Sequence, residues 1–255
     1  MKIFYFTATG NSLYVAKRVG GELYSIPQMV ATGQGEFEDD AIGFVFPCYG
    51  FGIPRMVNDF VQESKFKAQY FFAIMTYGNM AASGLKAIEY AGLKAGIRFD
   101  YTSEIVMVDN YLPIFSMESQ LKKEHSKNIE ENLARIVNEV QNRQQKSIRK
   151  GLVSDVVSKA AHKLTASFHY DGGDKGFIVY DTCNKCKVCE KVCPKNNIKV
   201  GEKPEFLHAC EGCFACIHHC PQNAIHLKWE RSNARFINRN VTLTEIIAAN
   251  NRGMV

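Results

Sequence analysis

Short apolar runs alternate with segments of helical spacing over residues 1–146. Lys2 to Phe6, Ala41 to Phe46, Tyr70 to Thr76 and Glu104 to Val108 read as buried strands, with Glu22 to Ile26 as a short edge strand. Between them, Ser12 to Val19, Pro54 to Ser64, Ser83 to Leu93 and a long segment from Glu118 to about Gln145 space their apolar residues as helices do, and Pro54 suits a first helical turn. Five strands and four helices in this order predict an α/β domain built on a doubly wound, five-stranded parallel sheet.

The pattern changes after residue 146. From Ser147 to Phe168, Ile148, Leu152, Val156, Val157, Ala160, Ala161 and Leu164 recur at helical spacing opposite Arg149, Lys150, Lys159 and Lys163. This is a basic amphipathic helix whose stripe packs on a domain while tethering two of them, or alternatively lies on a membrane surface. The glycines of Asp171 to Gly176 mark a hinge. The expected organisation is therefore a large domain over 1–146, a helical linker over 147–176, a small domain over 177–229 and a tail over 230–255. Val241 to Ala249 in the tail is a short helix candidate starting at Thr242 or Thr244, with no chemistry assigned to it.

A chain of 255 residues with 46% hydrophobic content has enough apolar material for both units. Its net charge of +5 is modest, and no basic run interleaved with aromatics points to nucleic acid. Met1-Lys2-Ile3-Phe4-Tyr5-Phe6 runs straight into polar residues, and no apolar stretch reaches the roughly 18 residues that a membrane span needs. The expectation is a cytoplasmic protein.

Cysteine placement sharpens the picture, because eight of the nine cysteines fall between Cys183 and Cys220, leaving Cys48 apart. Cys183, Cys186, Cys189 and Cys193, followed by Pro194, have the spacing C-x-x-C-x-x-C-x-x-x-C-P, and Cys210, Cys213, Cys216, Cys220 and Pro221 repeat it. Clustered thiols without a secretory signal read as metal ligands. Zinc prefers paired knuckles with tetrahedral closure. The observed run instead resembles that of bacterial ferredoxins, in which three cysteines bind one [4Fe–4S] cluster and the fourth binds the other. That resemblance implies Cys183, Cys186, Cys189 and Cys220 around one cluster, and Cys210, Cys213, Cys216 and Cys193 around the second. Ile198 and Ile225, alike in position after each fourth cysteine, are expected in the small core; His218 and His219 are expected at the surface.

Directly after the first strand, Thr7-Ala8-Thr9-Gly10-Asn11-Ser12 opens a helix. Such a turn offers free backbone N–H groups and the positive end of a helix dipole to an anion. It lacks the lysine of a nucleoside triphosphate loop and the G-x-G-x-x-G of a dinucleotide site, and so suits a phosphate monoester. It resembles the T-x-T-G-x-T phosphate loop of flavodoxins, with Ser12 keeping the last hydroxyl. Two further loops fall where flavodoxins contact the flavin ring: Pro47-Cys48-Tyr49-Gly50-Phe51-Gly52 and Thr76-Tyr77-Gly78-Asn79. Tyr49 or Phe51 would stack on the ring; Asp109-Asn110-Tyr111 would meet the ring or the second domain. Cys48 reads as a small buried thiol.

The whole chain resembles the flavodoxin–ferredoxin fusion proteins of anaerobic bacteria and archaea. This resemblance implies a flavodoxin-like domain holding FMN, a small α+β ferredoxin-like domain holding two [4Fe–4S] clusters, and electron transfer between them. The partners would be redox proteins or a small-molecule acceptor. A reductase of a quinone, free flavin or aromatic compound is the enzymatic alternative, although no acid, base or nucleophile constellation accompanies it. A non-redox module that has lost its cofactors would not retain all eight cysteines.

Overall fold

The computed structural model describes residues 1–81, 83–147 and 173–252. The N-terminal part runs β1 (Lys2–Tyr5), α1 (Asn11–Val19), β2 (Glu22–Ser25), α2 (Ile26–Thr32), β3 (Glu36–Glu38), β4 (Ala41–Pro47), α3 (Arg55–Glu63), β5 (Lys65–Lys67), β6 (Tyr70–Tyr77), α4 (Gly84–Lys94), β7 (Tyr101–Val106), α5 (Met117–Lys122) and α6 (Ile129–Gln141). Five strands form one sheet in the order β2-β1-β4-β6-β7, every pairing parallel. Counted among themselves these strands run 2-1-3-4-5, which is the flavodoxin-like order.

Side chains alternate across the sheet as strand geometry requires. Ile3 and Tyr5 join a core with Leu13, Val15, Leu133 and Ile136 from α1 and α6, whereas Phe4 and Phe6 face Met56, Phe60 and Ile88 from α3 and α4. Phe4 lies at the centre of an aromatic group, with ring centroids 4.5 Å from Phe37, 5.4 Å from Phe60 and 5.4 Å from Phe66. Phe37 and Phe66 belong to the small parallel ribbon β3–β5, whose outer edge pairs Glu36 with Lys65 and Glu38 with Lys67.

Three local features depart from the sequence expectation. The edge strand stops at Ser25, whose hydroxyl accepts from Gln28 N and starts α2 with Pro27 in the first turn. The single long helix expected from Glu118 is broken into α5, a 3-10 turn over Glu124–Lys127 and α6, because Lys122 to Lys127 offers no apolar stripe and Asn128 takes a left-handed φ of 46°. The last strand begins earlier, at Tyr101, whose fully buried ring passes its hydroxyl to Glu139 Oε2 at 2.6 Å.

The small unit contains β8 (Phe177–Val179), α7 (Val188–Lys191), β9 (Ile198–Val200), β10 (Pro204–Phe206), α8 (Ala215–His218) and β11 (Ile225–Leu227), with antiparallel ribbons β8–β11 and β9–β10. Its two halves repeat in backbone conformation as well as in sequence. Lys185 and Gly212 take φ of 60° and 70°, Lys187 and Phe214 62° and 57°, Asn196 and Asn223 49° and 45°. Asp174, which the sequence places in the linker, is buried in this unit, accepting from Asn197 Nδ2 at 2.6 Å and lying 2.8 Å from His208 Nδ1. The amphipathic stretch expected over 147–168 lies, beyond Ser147, outside the described residues. Among those described, no helix is long and apolar enough to cross a membrane.

The tail returns to the large domain. Helix α9 (Leu243–Asn250) starts with a capping box between Thr242 and Glu245, and buries Ile246 and Ala249 in the core beneath α1. Lys17 Nζ meets Glu245 at 2.6 Å, and Gln28 Nε2 donates to Ala248 O at 3.0 Å and Asn251 O at 2.8 Å.

Replacing Phe4 by Ala removes the ring on which the aromatic group converges. A loss of about 3–5 kcal/mol is expected from a core deletion of this size, measured by chemical denaturation; a change below about 1 kcal/mol would show that the group repacks freely.

Candidate functional site

The structure brings the cysteines together in the crossed arrangement. One cavity is lined by Cys183, Cys186, Cys189 and Cys220, and a second by Cys193, Cys210, Cys213 and Cys216. Ile225 closes the first and Ile198 the second, and both are buried in the small core as expected. Four sulfurs ranged around each cavity fit a polynuclear cluster.

Local backbone explains how each run wraps its cavity. The left-handed residues between the first three cysteines curl the chain so that their sulfurs face one centre, and α7 and α8 carry the fourth cysteine away toward the other. Backbone N–H groups already point at sulfur: Asn197 N to Cys193 Sγ at 3.3 Å, Ala224 N to Cys220 Sγ at 3.2 Å, and Gly212 N to Cys210 Sγ at 3.3 Å. Such bonds stabilise negative charge on ligating sulfur and tune cluster potential.

The two cavities differ in exposure. In the first set Cys186 is exposed, Cys183 and Cys220 half-buried and Cys189 buried, whereas in the second Cys193 and Cys216 are buried, Cys210 and Cys213 half-buried and none exposed. Burial pushes the Cys189 and Cys210 thiols up to about 12, and Cys213 and Cys216 well above the ordinary thiol value. Neighbouring cysteines of the same cavity reinforce this, and Cys189 of the first set adds to the shift of Cys216 in the second. The cavities are therefore adjacent.

The buried cavity abuts the large domain at the loop after β4. Burial raises the Tyr49 hydroxyl well above its ordinary value, and its nearness to Cys213, Glu211 and Cys210 adds to the shift. Glu211 Oε1 accepts from Met56 N at 3.1 Å, serving the first turn of α3, which has no side-chain cap of its own. Tyr49 thus stands between cavity and loop with its ring edge-on to Phe6 at 6.1 Å, while Phe51 is 45% exposed, leaving its ring free at the rim.

The three loops predicted from sequence meet at the carboxyl edge of the sheet, where β1 and β4 send their helices to opposite faces. Ser12 Oγ lies 2.9 Å from Thr76 Oγ1, and Cys48 N donates to Thr76 O at 2.7 Å. Asn79 Nδ2 donates to Asp109 Oδ2 at 2.8 Å, and Gly78 is required there because a Cβ would fall 2.2 Å from Asp109. Cys48 is half-buried, its Sγ 3.6 Å from Ala81 O, and desolvation pushes its thiol up to about 12, as suits an unreactive group.

All six residues of the Thr7-to-Ser12 turn are buried. Gly10 turns with φ of 100°, and its N–H donates to Thr7 Oγ1 at 3.2 Å. The backbone N–H groups of Ala8, Thr9, Asn11 and Ser12 have no protein acceptor among the described residues. Buried donors of this kind, at the start of a helix and without a cation beside them, fit the phosphate of a flavin mononucleotide.

The surroundings of this turn correct one expectation and add residues that the sequence did not mark. His218 and His219 are 2% and 4% exposed, and so buried between the domains instead of lying at the surface. Their Nε2 atoms donate to Asn110 O and Ala8 O, each at 3.0 Å, and desolvation lowers both, His218 to about 3, so that both rings are neutral. Asn110 Nδ2 donates to Thr9 Oγ1 at 2.5 Å, and the Tyr111 ring lies 5.6 Å from Phe214, placing this segment at the domain interface. From the tail, Asn238 N donates to Thr9 O at 2.8 Å and Asn250 Nδ2 to Thr7 O at 3.0 Å.

Comparison with known proteins bears directly on the small unit. Residues 175–221 match the family described as a 4Fe-4S dicluster domain. Over this stretch the C-terminal unit is similar to 4Fe–4S dicluster domains. Over 76 residues the chain is 40% identical to one subunit of the ion-translocating oxidoreductase complex of Methanosarcina acetivorans, covering 28% of this chain and 27% of that protein. The chain thus spans about a quarter of the length of this curated relative. Solved structures similar to the large domain include a putative flavoprotein from Bacteroides uniformis, with 17% identity, TM-score 0.32, and coverage of 47% of this chain and 94% of that one. Another is a putative flavoprotein from Bacteroides eggerthii, at 14% and 0.34, covering 50% and 97%. An FMN-dependent NADH-azoreductase from Bacillus anthracis matches at 13% and 0.31, covering 54% and 100%. The flavodoxin-like assignment of the large domain rests on strand order, and with the C-terminal match it gives the chain a flavodoxin-like and ferredoxin-like fusion architecture.

Crossed ligation predicts which substitutions resemble one another. Cys220→Ser should cost the same cluster as Cys183→Ser, and Cys193→Ser the same as Cys213→Ser, with each pair sharing one lost paramagnetic signal and iron falling from about eight to about four per chain. Pairing of Cys220→Ser with Cys213→Ser would refute the assignment.

Proposed function

We propose that the chain transfers electrons between two [4Fe–4S] clusters and an FMN, so joining one-electron and two-electron partners. The observation that carries this reading is the ordering of sites from solvent inward. The cavity with exposed Cys186 comes first, the buried cavity next, and the latter meets Tyr49 on a loop of the switch-point crevice. Cys183, Cys186, Cys189 and Cys220 would hold the outer cluster, and Cys193, Cys210, Cys213 and Cys216 the inner one. Thr7, Ala8, Thr9, Gly10, Asn11 and Ser12 would hold the flavin phosphate. The ring would lie against Pro47, Cys48, Tyr49, Gly50, Phe51 and Gly52 on one side and Thr76, Tyr77, Gly78 and Asn79 on the other, following the rule that places ligands at the switch point.

When bound, the clusters supply one-electron exchange and the flavin one- or two-electron chemistry, while the protein contributes placement and potential. Its residues act in three ways. Backbone N–H groups offset charge on the cysteine sulfurs, Glu211 and Tyr49 fix the inner cavity against the crevice, and the apolar lining keeps water from the buried sulfurs. Exposed Phe51 and Met80 at the crevice rim favour a second reading, in which a small aromatic or quinone acceptor approaches the ring. That reading predicts saturable turnover with such an acceptor. The physiological partner in either case would be a redox protein or small molecule, with the 40% identity to a subunit of an oxidoreductase complex favouring a protein.

An anaerobic absorption spectrum with iron, sulfide and flavin quantified on one sample should give about eight irons and about one FMN per chain. Full iron with no flavin, even after FMN is supplied, would remove the flavin from this reading. In Cys186→Ser, loss of the outer cluster should abolish flavin reduction by a protein donor too large to reach the crevice. Undiminished reduction would place electron entry elsewhere.

A further inference from the structure

Three consecutive carbonyls of the phosphate-loop turn are each held by a donor from the C-terminal part of the chain. Asn250 Nδ2 holds Thr7 O at 3.0 Å, His219 Nε2 holds Ala8 O at 3.0 Å, and Asn238 N holds Thr9 O at 2.8 Å. In a planar trans peptide the carbonyl of one residue and the N–H of the next point in opposite directions. Fixing these carbonyls toward the tail and the dicluster domain therefore turns the unpartnered N–H groups of Ala8 and Thr9 the other way, while the N–H of Gly10 is taken by Thr7 Oγ1. The anion site is ordered before a ligand arrives, which removes an ordering cost from binding.

His219 is also joined to the cysteine cavities by the chain itself. It follows α8 and precedes Cys220, and its N–H donates to Ala215 O at 3.0 Å. Its Nδ1 is buried without a partner among the described residues, so Nε2 alone anchors the ring, through Ala8. The neighbouring His218 reaches the same turn indirectly, through Asn110 and Thr9 Oγ1. Both imidazoles stand on the stretch between Cys216, which lines the inner cavity, and Cys220, which lines the outer one.

Taking the FMN reading above as its premise, we infer that His219 is a positioning residue for the phosphate loop and that, through it, filling the cysteine cavities raises the affinity of the loop for FMN. Ligation at Cys216 and Cys220 fixes both ends of the stretch that carries the imidazoles, and the imidazoles fix the loop carbonyls. The coupling is reciprocal, so bound FMN raises the affinity of the cavities for their iron by the same factor.

The test titrates FMN anaerobically into the full chain, loaded with iron and sulfide, and follows quenching of flavin fluorescence. His219→Leu keeps bulk and removes the donor, and should weaken FMN about tenfold, the effect of one hydrogen bond to an otherwise unpaired buried acceptor. His219→Gln, which keeps an N–H donor, should recover part of the loss. Wild-type chain stripped of iron by a chelator should show a weakening of similar size, and stripping His219→Leu should add little. Amide exchange at Ala8 and Thr9 should quicken in His219→Leu. Equal FMN affinity in iron-loaded wild type and His219→Leu would overturn the inference while leaving the flavin reading intact. Should His219→Leu fail to take up iron, equal affinity of loaded and stripped wild type would overturn it instead. Absence of FMN binding by loaded wild type would overturn the flavin reading and the coupling together, whatever the exchange rates.

Discussion

The small domain depends on a conflict between burial and charge. Thiols ligate metal only as thiolates, yet burial holds the inner cysteines far toward the neutral form. Several such groups around one cavity become anions together only when cations enter with them and protons leave. The rest of that unit is slight: three-residue strands, four-residue helices and a few isoleucines and phenylalanines. Its integrity therefore rests on the occupants of the cavities, and crossing of the fourth cysteine makes each half depend on the other.

Against this, the large domain is self-supporting, with apolar cores on both sheet faces and an aromatic group around Phe4. The joint between the two is polar and specific. Glu211 serves a helix of the large domain, His218 and His219 serve its loops, and Tyr49 reaches back to the cysteines. These contacts place the buried cavity, and not the exposed one, against the switch-point edge. The cavity with exposed Cys186 is left on the outer face, while the inner face is fixed.

Features governed by spacing were readable in the sequence. The strand runs gave the sheet, the cysteine runs gave the two cavities, and Thr7 to Ser12 gave the turn at the end of β1. Helix α2 was missed although its signals were present: Ser25 as cap, Pro27 in the first turn and Gly33 at the end. The break at Asn128 was also visible as a polar run without an apolar stripe. Burial of His218 and His219 had no local sign, because their acceptors are backbone carbonyls more than a hundred positions away. The same holds for Asn238 and Asn250, whose amides are ordinary in composition and become specific only through long-range folding.

The contact between Asn250 and Thr7 joins positions separated by 243 residues. On a ribosome, Thr7 emerges ahead of most of the sheet, the cysteine runs and the tail, and waits through their synthesis before its carbonyl finds that donor. The loop carbonyls stay open to water, or to other donors, until translation has passed both cysteine runs. Maturation is thus vectorial: the turn after β1 is made early, but its last bracing element is made only after the cysteine-rich unit exists.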